Sequence, residues 1–204
     1  MPYLVSPVVP SGRMRDLGQP VLPAAGGLVL RPWRAADAPV VLEAYRDPAI
    51  QQWNLRAFGS LEEAGDWIGQ WAGRWRAERD GCWAVTDGAG AVLGRVALRE
   101  VRLAAGVAEC TYWVLPAARG RGVATAATAA VARWAVDELG LHRLFLLHST
   151  ANPASCRVAA KAGFTLEGTM RSAMRHPDGW HDMHLHARVL GDPDAGPGPS
   201  GAGA

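Results

Sequence analysis

The chain has 204 residues, of which 49% are hydrophobic and 20% are charged, and its formal net charge is +2. This composition is typical of one globular domain and argues against intrinsic disorder. The small net charge, without a long run of like charges, argues against a nucleic-acid partner. No stretch approaches the roughly 18 consecutive apolar residues of a membrane span, so we expect no membrane partner either.

Three cysteines without a CxxC spacing predict neither a disulfide framework nor a zinc knuckle. The N-terminal segment is broken by proline and lacks the apolar core of a signal peptide, so we expect a cytoplasmic protein. Proline and glycine content divides the chain into a flexible arm over residues 1–27, a single domain over 28–190 and a disordered tail over 191–204.

The first third of the domain predicts one short strand and two helices. Residues 28–32 read as an edge strand that ends at its proline. Asp37 can cap a helix that runs to about Arg46 and stops at Asp47-Pro48. Ser60 and Glu63 form a capping box, and the helix that follows carries Trp67, Trp71 and Trp75 on one stripe.

The rest of the domain combines antiparallel strands with strand–helix units. This combination predicts an α/β fold with a mixed (α+β) sheet. A continuous apolar run at 142–150 indicates a strand buried on both faces. The predicted elements are strands at 82–86, 91–102, 107–115 and 142–150, helices from residue 123 and from 153 to 163, and a closing hairpin at 164–175 and 180–190.

The most informative motif is the loop Arg119-Gly-Arg-Gly122, which lies between a strand and a helix. Free N–H groups and the macrodipole at a helix start favour phosphate, and glycine lets the backbone approach an anion closely. The loop lacks both common nucleotide-binding fingerprints. On its pattern alone, a tight turn with solvated arginines is an equally good interpretation.

The chain resembles the GNAT N-acetyltransferase superfamily, and within it the Rim-type branch of ribosomal-protein-alanine acetyltransferase-like proteins. Residues 119–124 match the Q/R-x-x-G-x-G/A acetyl-CoA loop, and 152–168 resemble the N-x-x-S…K-x-G-F…E-G signature. Residues 109–116 are similar to the branch's fourth strand, and 180–182 to its Asp-bearing final hairpin. The motifs hold their order and spacing across 28–190.

This resemblance implies the GNAT acyl-CoA N-acyltransferase fold, with splayed central parallel strands flanked by helices, and acetyl-CoA as cosubstrate. The pantetheine arm would bind along one splayed strand and the pyrophosphate on the loop. The amine would then attack the thioester directly, without a covalent enzyme intermediate. The implied cofactor-binding residues are Trp113, Val114, Leu115, Arg119, Gly120, Arg121, Gly122, Val123, Ala124, Thr125, Asn152 and Lys161.

Two residues at the start of the second helix have a structural and a functional interpretation. Asn152 is a natural N-cap, and by resemblance it also contacts pantetheine. Ser155 could bond back to the Asn152 backbone or, by resemblance, protonate the leaving thiolate. We expect Cys156 to be a packed thiol, because no histidine and carboxylate partners are evident beside it.

The general base is where this sequence departs from the family. Met174 and Ala126 stand where its members carry carboxylates. Glu109 is the best remaining carboxylate, acting directly or through water, although a solvated strand-end charge is an equal alternative. Tyr112 and His148 are weaker candidates for the base.

Two further sets of residues invite a functional interpretation. His181, His184 and His186 could suggest a metal, but alternate strand residues share a face and His181 is out of phase, so we predict no metal. Early helices roof the acceptor pocket in the resembling fold, so we expect Trp53 and Trp71 to bind substrate. A core role for the tryptophan stripe is the alternative.

The sequence therefore predicts an acetyl-CoA-dependent N-acetyltransferase that transfers an acetyl group to a primary amine. The acceptor is a small molecule or a protein N-terminus, and a homodimer is possible. Because two expected carboxylates are missing, a catalytically weak acyl-CoA-binding module is the alternative.

Overall fold

The computed structural model describes residues 4–192 and contains one mixed sheet of eight strands. The strand order is β1-β2-β3-β4-β5-β6-β8-β7, and every neighbouring pair is antiparallel except β5 and β6. The predicted mixed α/β fold is confirmed. The strands are β1 Leu22–Ala24, β2 Leu28–Pro32, β3 Gly81–Thr86, β4 Val92–Arg102, β5 Val107–Val114, β6 Arg143–Ser149, β7 Thr165–His176 and β8 Gly179–Val189.

Helices cover both faces of the sheet, because each face carries its own hydrophobic cluster. On one face Ile50 and Trp67 pack with Trp33 and Trp113. On the other, Val131 and Ala159 pack with residues such as Leu144. In the described part of the chain, no helix is long and apolar enough to cross a bilayer. The helices are α1 Arg13–Leu17, α2 Ala38–Ala44, α3 Pro48–Asn54, α4 Leu61–Arg76, α5 Val123–Asp137 and α6 Pro153–Lys161.

The central feature of the sheet is the separation of its two parallel strands. Strands β5 and β6 pair at Val107 with Arg143, and their register ends where Glu109 lies opposite Phe145. Beyond this point β5 continues along β4 to Val114, while β6 follows β8 to Ser149. The carboxyl ends of the two strands therefore open a V-shaped cleft in the middle of the sheet.

The N-terminal arm differs from the prediction, because the described part of residues 1–27 packs on the domain. Val9 and Met14 are 2% and 0% exposed. The Glu78 carboxylate accepts N–H bonds from Gly12, Met14 and Arg15. Strand β1 pairs with β2, so the predicted edge strand at 28–32 has a neighbour on both sides. Of the predicted tail, residues 193–204 lie outside the described residues.

The sequence signals at the early helices are only partly confirmed by the structure. Asp47-Pro48 follows the end of α2, as predicted, but it also begins α3: the Asp47 side chain accepts the Ile50 N–H at 2.9 Å. Helix α3 was not predicted from the sequence. Ser60 caps α4 by accepting from Glu63 N–H, while the Glu63 carboxylate accepts from the Gly59 N–H and not from Ser60.

Candidate functional site

Two adjoining cavities occupy the cleft between β5 and β6. The loop cavity, of about 580 Å³, extends from the cleft to the start of α5. The strand cavity, of about 340 Å³, extends into the splay as far as Glu109 and His148. Both are lined by Trp53, Asn54, Tyr112, Asn152 and Ser155.

The loop cavity ends at a backbone arrangement that suits a phosphate group. Gly120 and Gly122 have φ of 75° and 76°, in the left-handed region, and an added Cβ at either position would meet no atom within 4 Å. Helix α5 begins immediately after Gly122, which leaves the N–H groups of its first turn, Val123 to Thr125, directed along the helix toward the cavity. These N–H groups and the helix dipole attract anions.

Arg119 lines the loop cavity and also connects the loop to neighbouring segments. Its guanidinium donates to Asp47 Oδ1 at 2.6 Å and to the Val114 carbonyl at 3.2 Å. Burial acts to raise the pKa of Asp47, but the hydrogen bonds from Arg119 and the Ile50 backbone outweigh it, so the pKa is lowered and the ion pair persists. Arg119 therefore fastens the loop to α3, in addition to lining the cavity.

Exposed cations on α6 supply positive charge to the loop cavity. Arg157 and Lys161 are four residues apart, so they share one face of α6, and both line the cavity. Lys161 was predicted from the sequence and Arg157 was not, although a spacing of four residues indicates a shared helix face. The predicted cofactor-binding residues that line the loop cavity are Trp113, Val114, Arg119, Gly120, Gly122, Val123, Ala124, Thr125, Asn152 and Lys161.

Two predicted cofactor-binding residues lie beside the loop cavity without lining it. Leu115 donates its N–H to the Leu93 carbonyl at 2.9 Å and packs against the hydrophobic cluster that contains Trp33 and Trp67. That N–H is therefore not available to a ligand. Arg121 is exposed between the two loop glycines.

Tyr112 and Ser155 meet where the two cavities join. The Tyr112 hydroxyl donates to Ser155 Oγ at 2.9 Å. Burial raises the pKa of Tyr112 to about 12, so its hydroxyl stays protonated near neutral pH. Asn152 is the N-cap of α6, since its Oδ1 accepts the Ser155 N–H, and its side chain also lines both cavities. The structure thus gives Asn152 its structural role and places it where a functional role is possible.

Glu109 lies at the closed end of the splay and lines the strand cavity. Burial raises its pKa above the ordinary value, and the nearby Arg99 and Arg95 partly offset this. Met174 and His148 line the same cavity. Within this cavity, Glu109 is the carboxylate whose pKa is shifted toward that of a general base.

Trp53 and Trp71 have different surroundings, although the sequence predicted the same role for them. Trp53 lines both cavities, with ring centroids 5.5 Å from His176 and 6.1 Å from His181. Trp71 is 7% exposed, contacts Trp67 edge-on and lines neither cavity. The substrate-binding prediction for Trp71 is therefore wrong, because its stripe faces the core.

Three polar side chains near Trp53 form a connected series that was not predicted from the sequence. Ser149 Oγ lies 2.6 Å from His181 Nδ1, and His181 Nε2 lies 3.0 Å from Asp178. These residues come from β6 and from the β7–β8 hairpin, so only the folded sheet brings them together. His181 thus faces away from His184 and His186, as the strand alternation predicted.

Comparison with known proteins agrees with this geometry. The family profile described as "Acetyltransferase (GNAT) domain" matches residues 27–165. The ribosomal-protein-serine acetyltransferase of Escherichia coli (strain K12) is 27% identical over 99 residues, covering 48% of this chain and 55% of that relative. The Bacillus subtilis (strain 168) protein named "Putative ribosomal N-acetyltransferase YdaF" is 29% identical over 94 residues, covering 46% of this chain and 51% of that relative. The chain therefore spans about half the length of both relatives.

Solved structures share the fold over most of the chain. RimL, the ribosomal L7/L12 alpha-N-protein acetyltransferase in complex with coenzyme A, has a TM-score of 0.77 at 19% identity, covering 85% of this chain and 100% of that one. The spermidine N-acetyltransferase from Vibrio cholerae in complex with CoA and spermine has a TM-score of 0.73 at 18% identity, covering 81% and 97%.

The profile match covers more than half of the chain, and the named relatives include a ribosomal-protein acetyltransferase. The chain therefore belongs to the GNAT acetyltransferase family.

Proposed function

We propose that the protein is an acetyl-CoA-dependent N-acetyltransferase that acts on a primary amine. One observation carries the proposal: the edge of β5 beyond Glu109 is released from β6 and leads directly to the glycine loop at the start of α5. An extended ligand with a phosphate at one end would find strand backbone and helix N–H groups in sequence along one cavity.

The cosubstrate would occupy the loop cavity. Its pyrophosphate would accept N–H bonds from Val123 to Thr125, with Arg157 and Lys161 nearby to balance the negative charge. The pantetheine arm would run beside Trp113 and Val114. Its thioester would then lie near Tyr112 and Ser155, at the junction with the strand cavity.

The acceptor amine would enter through the strand cavity. In the proposed reaction Glu109 takes a proton from the ammonium group, directly or through water, and the neutral nitrogen forms a bond to the thioester carbon. A strand N–H group stabilises the oxyanion of the tetrahedral intermediate. When the C–S bond breaks, Ser155 protonates the thiolate and is reprotonated by Tyr112. The attacking nitrogen loses its second proton, which restores the Tyr112 hydroxyl, and the Glu109 proton finally passes to solvent. Holding both reactants in the cleft supplies the proximity that this direct transfer needs.

Two classes of acceptor fit the strand cavity, a small amine and the N-terminus of a protein. The named relatives include ribosomal-protein and spermidine acetyltransferases, which supports an amine acceptor in general without selecting one class. We place the activity in the cytoplasm, since all three cysteines are free. A homodimer remains part of the proposal, and sedimentation velocity would test it.

Calorimetric titration of acetyl-CoA into the purified protein tests the cosubstrate. We expect saturable binding at one site, lost in Gly122→Glu, because the new carboxylate would strain a φ of 76° and repel phosphate. Gly88→Glu is the matched control: Gly88 lies in a remote turn with open space around it and without a positive φ. Absence of binding to the wild type would refute the proposal.

The missing carboxylates favour a second candidate, a catalytically weak acyl-CoA-binding module. Met174 lines the strand cavity with a side chain that cannot accept a proton, and Ala126 lies on α5. Glu109→Gln separates the two candidates. An enzyme would lose its rate of thiol release with an amine panel while keeping its affinity for acetyl-CoA; a binding module would release no thiol in either form.

A further inference from the structure

Four side chains that suit a transition metal meet beneath the N-terminal half of α6. His148 comes from β6, His184 and His186 from β8, and Cys156 from α6, and one potential ligand atom from each lies within 4.8 Å of all the others. The sheet register explains the meeting: His148 lies directly opposite His184, and His186 follows two residues on. In the sequence His184 and His186 group with His181, so the motif does not reveal this set.

The ring nitrogens in this cluster lack the partners that buried polar atoms normally have. His148 Nδ1 lies 2.8 Å from the Ser149 carbonyl, which can only accept, so Nδ1 carries the proton and Nε2 presents a lone pair. Among the described residues, His148 Nε2 and His184 Nδ1 are buried with no hydrogen-bond partner. Because nearly all buried polar atoms are paired, these nitrogens require an explanation.

The chemistry of the donors also suits a metal. His148 and His186 are 6% and 2% exposed, so both imidazoles are shielded from water. A backbone carbonyl bonded to Nδ1 is the usual outer partner of a histidine that ligates through Nε2. Three imidazoles and one thiol are nitrogen and sulfur donors, which zinc prefers.

The spacing of the donors is close to that of a tetrahedral site. Zinc–nitrogen bonds of about 2.0–2.1 Å and zinc–sulfur bonds of about 2.3 Å place ligand atoms about 3.3–3.7 Å apart around the ion. The widest pair in the cluster, at up to 4.8 Å, would have to close by about 1 Å. Side-chain rotation of Cys156 or His184, which are both only partly buried, can supply this movement.

We propose that His148, Cys156, His184 and His186 bind one zinc ion. Binding removes the proton from the Cys156 thiol and releases it to solvent, with no change of oxidation state. With four protein ligands the ion has no open position, so its role is structural. It cross-links α6, which begins at the Asn152 cap and carries Ser155, to β6 and β8. The inference does not depend on the proposed acetyltransferase activity.

Cobalt substitution tests this site with the full chain, freed of any histidine tag and stripped with a chelator. Titration with Co²⁺ should give one equivalent of bound metal and a thiolate-to-cobalt charge-transfer absorption, which Zn²⁺ then abolishes by displacement. Cys156→Ser should remove the charge-transfer absorption, and His184→Gln should remove stoichiometric binding. Zinc should raise the melting temperature of the wild type but not that of His184→Gln.

Two variants serve as matched controls. His142→Gln removes an exposed histidine outside the cluster. Cys110→Ala removes a thiol whose pKa burial raises to about 12, so that it stays protonated. Both should bind cobalt as the wild type does. The proposal is overturned if the folded wild type retains no metal, or if the charge-transfer absorption survives in Cys156→Ser.

Discussion

The Tyr112 hydroxyl donates to Ser155 Oγ at 2.9 Å, and this bond crosses the open end of the cleft from β5 to α6. Burial raises the pKa of Tyr112 to about 12, and both Tyr112 and Ser155 line both cavities. A proton lost by Ser155 could therefore be replaced from Tyr112 without the entry of water. The pair has the arrangement of a general acid with its proton donor.

Removal of either hydroxyl should slow acetyl transfer. We expect Ser155→Ala to lower kcat about 100-fold, at the low end for general acid catalysis because a thiolate is a weak base. Tyr112→Phe should cost about 10-fold. The double variant should be no slower than Ser155→Ala alone, since the two groups act as one unit. Steady-state kinetics of thiol release would measure all three.

Tyr45→Phe is the control for this prediction. Tyr45 is a buried tyrosine in the hydrophobic cluster that contains Trp33 and Trp67. Its kcat should match that of the wild type. Multiplicative losses in the double variant would contradict a shared proton path between Tyr112 and Ser155.

The raised pKa of Glu109 predicts a pH dependence of the rate. Burial destabilises the charged carboxylate, and Arg99 and Arg95 only partly compensate. A base must be deprotonated, so kcat/KM should rise with pH through a midpoint above that of an ordinary glutamate. Glu109→Gln should abolish this rise of kcat/KM with pH. If the rise persists in the variant, a group other than Glu109 is the base.

The same shift predicts the pH dependence of stability. A folded pKa above the unfolded value means that the native state holds the proton more tightly, so this stabilisation is complete below the unfolded pKa and is lost as pH rises through the folded pKa. Glu109→Gln should therefore melt at a higher temperature than the wild type at alkaline pH, and the difference should shrink in acid. Glu138→Gln, at an exposed residue, should show no such trend.

The sequence predicted those parts of the site that depend on local backbone signals. The glycine loop and the Asn152 cap were found because neighbouring residues determine a helix start. The histidine and cysteine cluster was missed because β6, β8 and α6 meet only through the sheet register. The α3 helix was missed because an Asp-Pro pair signals both an end and a beginning.

Trp53 and Trp71 provide a kinetic test of where the acceptor binds. We expect Trp53→Ala to raise the KM for the amine, with little change in the calorimetric affinity for acetyl-CoA, because Trp53 borders the strand cavity beside His176 and His181. Trp71→Phe should instead lower the melting temperature and leave the KM unchanged, since Trp71 is buried in the core. An unchanged KM in Trp53→Ala would remove Trp53 from the acceptor site.

Packing of the N-terminal arm predicts a loss of stability far from the cleft. Met14 is 0% exposed and belongs to the main hydrophobic cluster, so Met14→Ala should lower the free energy of unfolding by about 2–5 kcal/mol. Leu17→Ala on the same short helix is the control, because Leu17 is 40% exposed and its truncation should cost much less. Urea unfolding of both variants measures the difference. Equal, small losses would mean that the arm is detached in solution; a large loss confined to Met14→Ala would make the arm part of the folded domain, because only a packed side chain leaves a cavity when it is truncated.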